Sequence, residues 1–167
     1  MAKCITIIAM TGQGKTTFTK QTIQGNPCIV YDINGEYEDL PFDVGQARSR
    51  FFGKPMEFID ACKEKHGGTF CVFEEATGFL AGRTGLEMRQ FLIGKRHPQN
   101  LGGRNIIFIF HTIASVPPFI LDMSDYFVLF KTGDNFQNVK RKAPKLYPHF
   151  MRLQGAKKYS KLIIKNV

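Results

Sequence analysis

Cys4-Ile5-Thr6-Ile7-Ile8-Ala9-Met10-Thr11-Gly12-Gln13-Gly14-Lys15-Thr16-Thr17 joins an apolar run to a glycine-bracketed turn and then to a pattern suited to a helix. Strand, turn and helix in that order are what a phosphate-binding loop requires. Backbone N–H groups around Gly12 and Gly14 can wrap the phosphates of a nucleoside triphosphate, Lys15 can reach the β and γ oxygens, and the Thr16 hydroxyl can serve Mg²⁺. Thr11, Gln13 and Thr17 complete the expected nucleotide-contacting set. The helix opening at Lys15 adds its positive N-terminal end to the same anion site. In the pattern GxxxxGK[ST] the first glycine is replaced here by Ala9, which removes no group that contacts phosphate.

Outward from this loop, strand and helix signals alternate, and the expected fold is α/β with a mainly parallel five-stranded sheet flanked by helices. Strands are expected at 3–9, 27–32, 69–74, 105–110 and 126–131. Helices are expected at 15–24, 55–66 and 86–95, with a helical turn opened by Pro117-Pro118 and a short helix at 135–142. The stretch 33–54, with Gly35, Pro41, Gly45 and Gly53, reads as mostly loop. Two β-like runs, 147–153 and 159–164, flank Gln154-Gly155 and read as a terminal hairpin. The expected division is a core over 1–133 and a basic extension over 134–167 packed on the same domain.

The chain has 167 residues, enough for one domain with a real core. Sixteen Phe and no Trp predict a Phe-rich interior. No stretch approaches a membrane span, and the short apolar segment at the start runs directly into the phosphate loop, unlike a signal peptide. A cytoplasmic location, in the producing cell or its host, is the expectation. Cys4, Cys28, Cys62 and Cys71 have no zinc-ligand spacing and read as buried reduced thiols. The net charge of +9 is concentrated: acids and bases cancel over residues 1–139, whereas Lys140, Arg141, Lys142, Lys145, Arg152, Lys157, Lys158, Lys161 and Lys165 stand in a segment without any acid. Such a tail suits a polyanion, most simply nucleic acid phosphates, or else forms a solvated basic face.

In an open parallel sheet, ligands bind at the carboxyl ends of the strands. Asp32 ends the second expected strand. Glu74-Glu75 ends the third after Phe70-Cys71-Val72-Phe73, in the form of a Walker B element, with Glu74 assigned to the metal and Glu75 to the attacking water. His111-Thr112 ends the fourth, where the imidazole can sense the γ-phosphate. Arg96, beside His97, can complete a neighbouring subunit's site, and Arg83, Arg89 and Arg104 are competitors for that role.

Three features resemble the FtsK/HerA superfamily of P-loop ATPases. Met10 to Thr16 matches its Thr-Gly-x-Gly-Lys-[Ser/Thr] loop. Tyr31-Asp32-Ile33-Asn34-Gly35-Glu36-Tyr37 looks like the Asp-x-x-Gly-Glu-Tyr of HerA-like proteins and brings Asp32 and Glu36 among the candidate site residues. Gly94-Lys95-Arg96-His97, then the strand ending at His111, then Val116-Pro117 parallel the family's Arg, strand, Gln and Pro, with His111 in the place of Gln. The resemblance covers residues 3 to about 133 and is greatest to the genome-packaging ATPases of membrane-containing tailless viruses. It implies a RecA-like core, Mg²⁺-dependent ATP hydrolysis and a homo-oligomeric ring, usually a hexamer, that drives double-stranded DNA through its pore. A capsid-vertex or membrane protein partner and association with the virion are further implications. Residues 78–83 are then a candidate pore-facing loop, with the basic hairpin as a second DNA contact. Two alternatives stand beside this: an assembly or secretion ATPase resembling the zonula-occludens-toxin group, and a small nucleotide kinase with Asp32 as its acceptor-binding acid.

Overall fold

A computed structural model describes residues 2–37, 49–50, 55–64, 67–80, 82–94 and 103–167. Along the chain run β1 (Cys4–Ile8), α1 (Lys15–Ile23), β2 (Cys28–Tyr31), β3 (Ser49–Arg50), α2 (Pro55–Lys63), β4 (Phe70–Phe73), a 3₁₀ turn (Ala76–Phe79) and α3 (Gly82–Gly94). They are followed by β5 (Asn105–Phe110), α4 (Pro118–Met123), β6 (Tyr126–Phe130), α5 (Phe136–Lys142), α6 (Tyr147–Gln154) and β7 (Lys161–Lys165).

All the strands join one sheet in the order β3-β2-β4-β5-β1-β6-β7. The first six in sequence run parallel, and β7 is antiparallel to β6. The sheet therefore has six parallel strands where five were expected. The added one is β3, two residues inside the stretch read as loop, paired through Val30↔Ser49 and Tyr31↔Arg50. A two-residue strand has no periodicity to read. Of the rest of that stretch, 38–48 and 51–54 lie outside the described residues.

Strand β5 shows how the core is divided. Ile106, Phe108 and Phe110 belong to one buried cluster and Ile107 and Ile109 to another, which the period-2 alternation of a strand places on opposite faces of the sheet. Helix α1 covers the second face with Phe18 and Ile23. The first face takes α2 to α6, and its centre is a Phe stack: Phe58 lies 4.9 Å edge-on from Phe73, and Phe73 5.0 Å from Phe108, between ring centroids. Such pairs contribute about 0.5–1.5 kcal/mol each beyond their burial. All four cysteines are buried thiols outside any disulfide, and burial pushes the Cys28 thiol up to about 11.

The C-terminal segment differs from the expected hairpin. Residues 147–153 are helical, because Leu146, Phe150 and Leu153 recur at helical spacing, all buried, and Pro148 opens the first turn. Only the second run is a strand, and its partner is β6, through Phe127↔Ile164 and Leu129↔Leu162. Helix α3 also starts earlier than expected, at Gly82, through glycines that read as loop. Gly85 is required there: a Cβ would come 2.8 Å from the Leu80 carbonyl oxygen.

Candidate nucleotide-binding site

The site grows from the middle of the sheet. Ala9 is wholly buried and its N–H donates 3.0 Å to the Phe110 carbonyl, so the chain is still in the sheet where the motif would have its first glycine. Met10 N–H donates to Lys131 O at 3.2 Å, and the loop then leaves beside the ends of β5 and β6. Gly12 and Gly14 adopt φ of 79° and 84°, the left-handed region that side chains disfavour, and Gly14 caps α1. Gln13 is buried, Thr11 and Thr17 are exposed, and Thr16 lies between. Lys15 is 8% exposed and places Nζ 3.6 Å from Glu74 Oε1.

Glu74, just beyond β4, is fully buried. Its Oε2 accepts a 2.8 Å hydrogen bond from the Tyr37 hydroxyl, while Oε1 has Lys15 nearby but no hydrogen bond. Burial raises the carboxyl's pKa, and the Tyr37 hydrogen bond and the Lys15 charge oppose that rise. Tyr37 is itself held neutral, first by burial and then by the Glu74 charge.

The sequence Asp32 to Tyr37 now has a physical reading. Asp32 Oδ1 accepts the Glu36 N–H and Oδ2 the Tyr37 N–H, both at 2.9 Å, folding the chain back on the end of β2. The turn delivers two side chains: Glu36 Oε2 accepts from Thr16 Oγ1 at 2.7 Å, and Tyr37 reaches Glu74. Asp32 thus acts from behind, and Tyr37 is a site residue that the sequence reading quoted only as part of a motif. The signal was available in its hydroxyl, since a buried Tyr needs a polar partner.

Glu75 is one of two non-glycine residues described with positive φ, at 54°, so consecutive carboxylates diverge: Glu74 turns to Lys15, and Glu75 Oε1 is hydrogen-bonded to His111 Nε2. The His111 partner is a consequence of strand order, since β5 lies between β1 and β4. Arg96 and His97 lie outside the described residues. Of the proposed pore loop, 78 and 79 end the 3₁₀ turn and 82 and 83 begin α3.

The donor set suits Mg²⁺ better than a metal caged by protein. No group of three or more His, Cys, Asp or Glu is arranged as a metal cage among the described residues. Mg²⁺ usually takes one or two carboxylates, phosphate oxygens and waters. Glu74 Oε1, buried without a hydrogen-bond donor, is such a carboxylate, and the Thr16 hydroxyl is the further oxygen that a phosphate loop offers Mg²⁺.

Fold and site together have the architecture of the P-loop NTPase fold: a mainly parallel sheet flanked by helices, with a phosphate loop at the end of its interior strand β1. Among solved structures, the chain is similar to the genome-packaging NTPase B204 of Sulfolobus turreted icosahedral virus 2, solved in complex with ATP-gammaS, with a TM-score of 0.78 and 15% identity over 98% of this chain and 92% of that one. It is also similar to EssC (ATPases 2 and 3) from Geobacillus thermodenitrificans, TM-score 0.57 and 15% identity, over 98% of this chain and 38% of that one. The N-terminal domain of zonular occludens toxin from Neisseria meningitidis matches at TM-score 0.51 and 13% identity, over 80% and 78% of the two chains. Neither a protein-family model nor a curated protein sequence matches the chain. The similarity to B204 extends through the tail, which the sequence resemblance left out. No helix among the described residues is long and apolar enough to cross a membrane.

Proposed function

We propose that this chain is an ATPase that translocates double-stranded DNA as a homo-oligomeric ring, in the manner of a viral genome-packaging motor. The observation that carries the hydrolytic part is the buried Glu74 carboxylate facing Lys15 across the phosphate loop. In this reading Gly12 to Thr17 hold the triphosphate, and Lys15 neutralises its β and γ oxygens. Thr16 and Glu74 are the protein ligands of Mg²⁺, which when bound screens the phosphate charge. Glu75 accepts the proton of the attacking water. His111 holds Glu75 in place through the hydrogen bond they share, beside the place of the γ-phosphate. Asp32 orders the turn that carries Glu36 and Tyr37. Arg96 is assigned to a neighbouring subunit's site, where its charge stabilises the transition state.

The DNA-translocating part rests on the whole-chain fold similarity to B204 and on the basic segment. Residues 134–167 act as an extension on an ATPase core formed by 1–133, in the cytoplasm of a host cell or on the virion. Arg141, Arg152, Lys157 and Lys165 are exposed and are the cations assigned to DNA phosphates. Removing the tail cannot test this, because Val139, Phe150 and Leu153 are core residues and β7 completes the sheet. Charge reversal of Arg141 and Arg152 can.

The deciding experiment measures ATP turnover with and without double-stranded DNA, together with the mass of the assembly. Stimulation by DNA in a ring-sized species, lost on charge reversal with the DNA-free rate intact, is the expected result. Turnover indifferent to DNA in an assembled ring overturns translocation and favours the secretion-type alternative.

A further inference from the structure

Beside the phosphate loop is a cavity of about 340 Å³, walled on one side by Gln13, Thr17, Phe18 and Gln21 and on the other by Tyr159 and Lys161 of the C-terminal tail. The tail thus closes on α1, far along the sequence. Its approach is specific: Tyr159 takes φ of 68°, uncommon for a bulky residue, and its N–H donates to Gln13 Oε1 at 3.4 Å. Its ring lies against Gly14, where an added Cβ would stand 3.3 Å from Cδ1. Tyr159 is nevertheless 59% exposed. Lys161 Nζ sits 5.2 Å from the Phe18 ring centroid, and Phe18 packs edge-on against Phe130.

We propose that this cavity seats the nucleobase of the bound nucleoside triphosphate, with the Tyr159 ring as its stacking surface and Lys161 and Gln21 at its polar edge. The proposal rests on the nucleotide reading of the phosphate loop and extends it to tail residues that charge alone assigned to DNA. A base is a flat π-system that gains from an aromatic face and tolerates a cation at its edge. The cavity opens directly beside Gly14 and Thr17, so a triphosphate held by the loop has its nucleoside within reach. An amide at Gln21 can donate or accept toward the edge of a purine. Tyr159 and Lys161 therefore belong to the nucleotide site although they follow the phosphate loop by most of the length of the chain.

The test uses the full chain with Mg²⁺ and titrates two ligands calorimetrically: a β,γ-methylene analogue of ATP, which carries the base, and inorganic tripolyphosphate, which does not. Tyr159→Ala is expected to weaken the analogue about tenfold and to leave tripolyphosphate unchanged, while Tyr159→Phe retains wild-type affinity. Because the chain has no Trp, Tyr159→Trp supplies a lone reporter whose emission should change on adding the analogue and not on adding tripolyphosphate. Equal weakening of both ligands by Tyr159→Ala, or no weakening of either, overturns the base seat. So does a silent Trp in a variant that still binds the analogue. Wild-type protein that binds neither ligand overturns the nucleotide reading beneath it.

Discussion

The turn at 32–37 and the turn at 157–161 both end on the phosphate loop, one at Thr16 and the other at Gln13. The first is built from carboxylates and a buried phenol whose hydrogen bonds are short, between 2.7 and 2.9 Å. The second presents an exposed tyrosine and a lysine, and meets the loop through a 3.4 Å bond to an amide and the Tyr159 ring against Gly14. Charge held at fixed positions acts on bond breaking, where the field at the reacting oxygens matters. A stacking surface acts on how tightly the substrate is held. The two turns should therefore separate in kinetics, one governing kcat and the other KM.

Lys15→Ala should break this division most completely, because both binding and turnover depend on the ammonium. ATP turnover should fall by about 100- to 1,000-fold or more in a phosphate-release assay. The substitution also leaves Glu74 buried without its cation, so chemical denaturation should show a stability change in the ligand-free protein. Glu75→Gln comes next: a loss of about 100- to 10,000-fold in turnover, with affinity for the ATP analogue retained. Equal loss of affinity would give Glu75 a binding role in place of a catalytic one.

Tyr37→Phe sharpens the contrast because it removes one hydroxyl and no volume. Losing the hydrogen bond to a buried carboxylate should cost about 1–3 kcal/mol of stability, measured by denaturant unfolding. It should also move the pH dependence. The Tyr37 hydrogen bond opposes the rise that burial imposes on the Glu74 pKa, so without it Glu74 protonates at higher pH and the acidic limb of turnover shifts upward. Tyr159→Ala is the smallest of the four: KM for ATP rises about tenfold with kcat within twofold of wild type. A kcat effect there would erase the distinction between the two turns.

What could be read in the sequence follows from how local each signal is. The phosphate loop, the strand ending in Glu74-Glu75 and the alternation of strand and helix depend on residues close together, and the structure places them where expected. Helix α6 reads as strand from the aromatic Tyr147 and Phe150, whereas the spacing of Leu146, Phe150 and Leu153 carries the helical period. Strand β7 was recognised but given the wrong neighbour, since pairing with β6 depends on sheet order, which a single run does not encode. The Tyr37 to Glu74 bond and the approach of Tyr159 to Gly14 depend on tertiary closure. Composition correctly pointed to the tail's basicity; only the closed fold brings Tyr159 and Lys161 to the cavity beside the phosphate loop.

Strand β1, which carries the phosphate loop, precedes the other strands in sequence and finishes inside the sheet, flanked on both sides. Its two neighbours are Asn105–Phe110 and Tyr126–Phe130, so it has no sheet partner until most of the chain has left the ribosome. Pairing at such separation is slow to close and exposes an apolar strand while it waits. The frame that shapes the phosphate loop is therefore complete only once Tyr126–Phe130 has paired beside it.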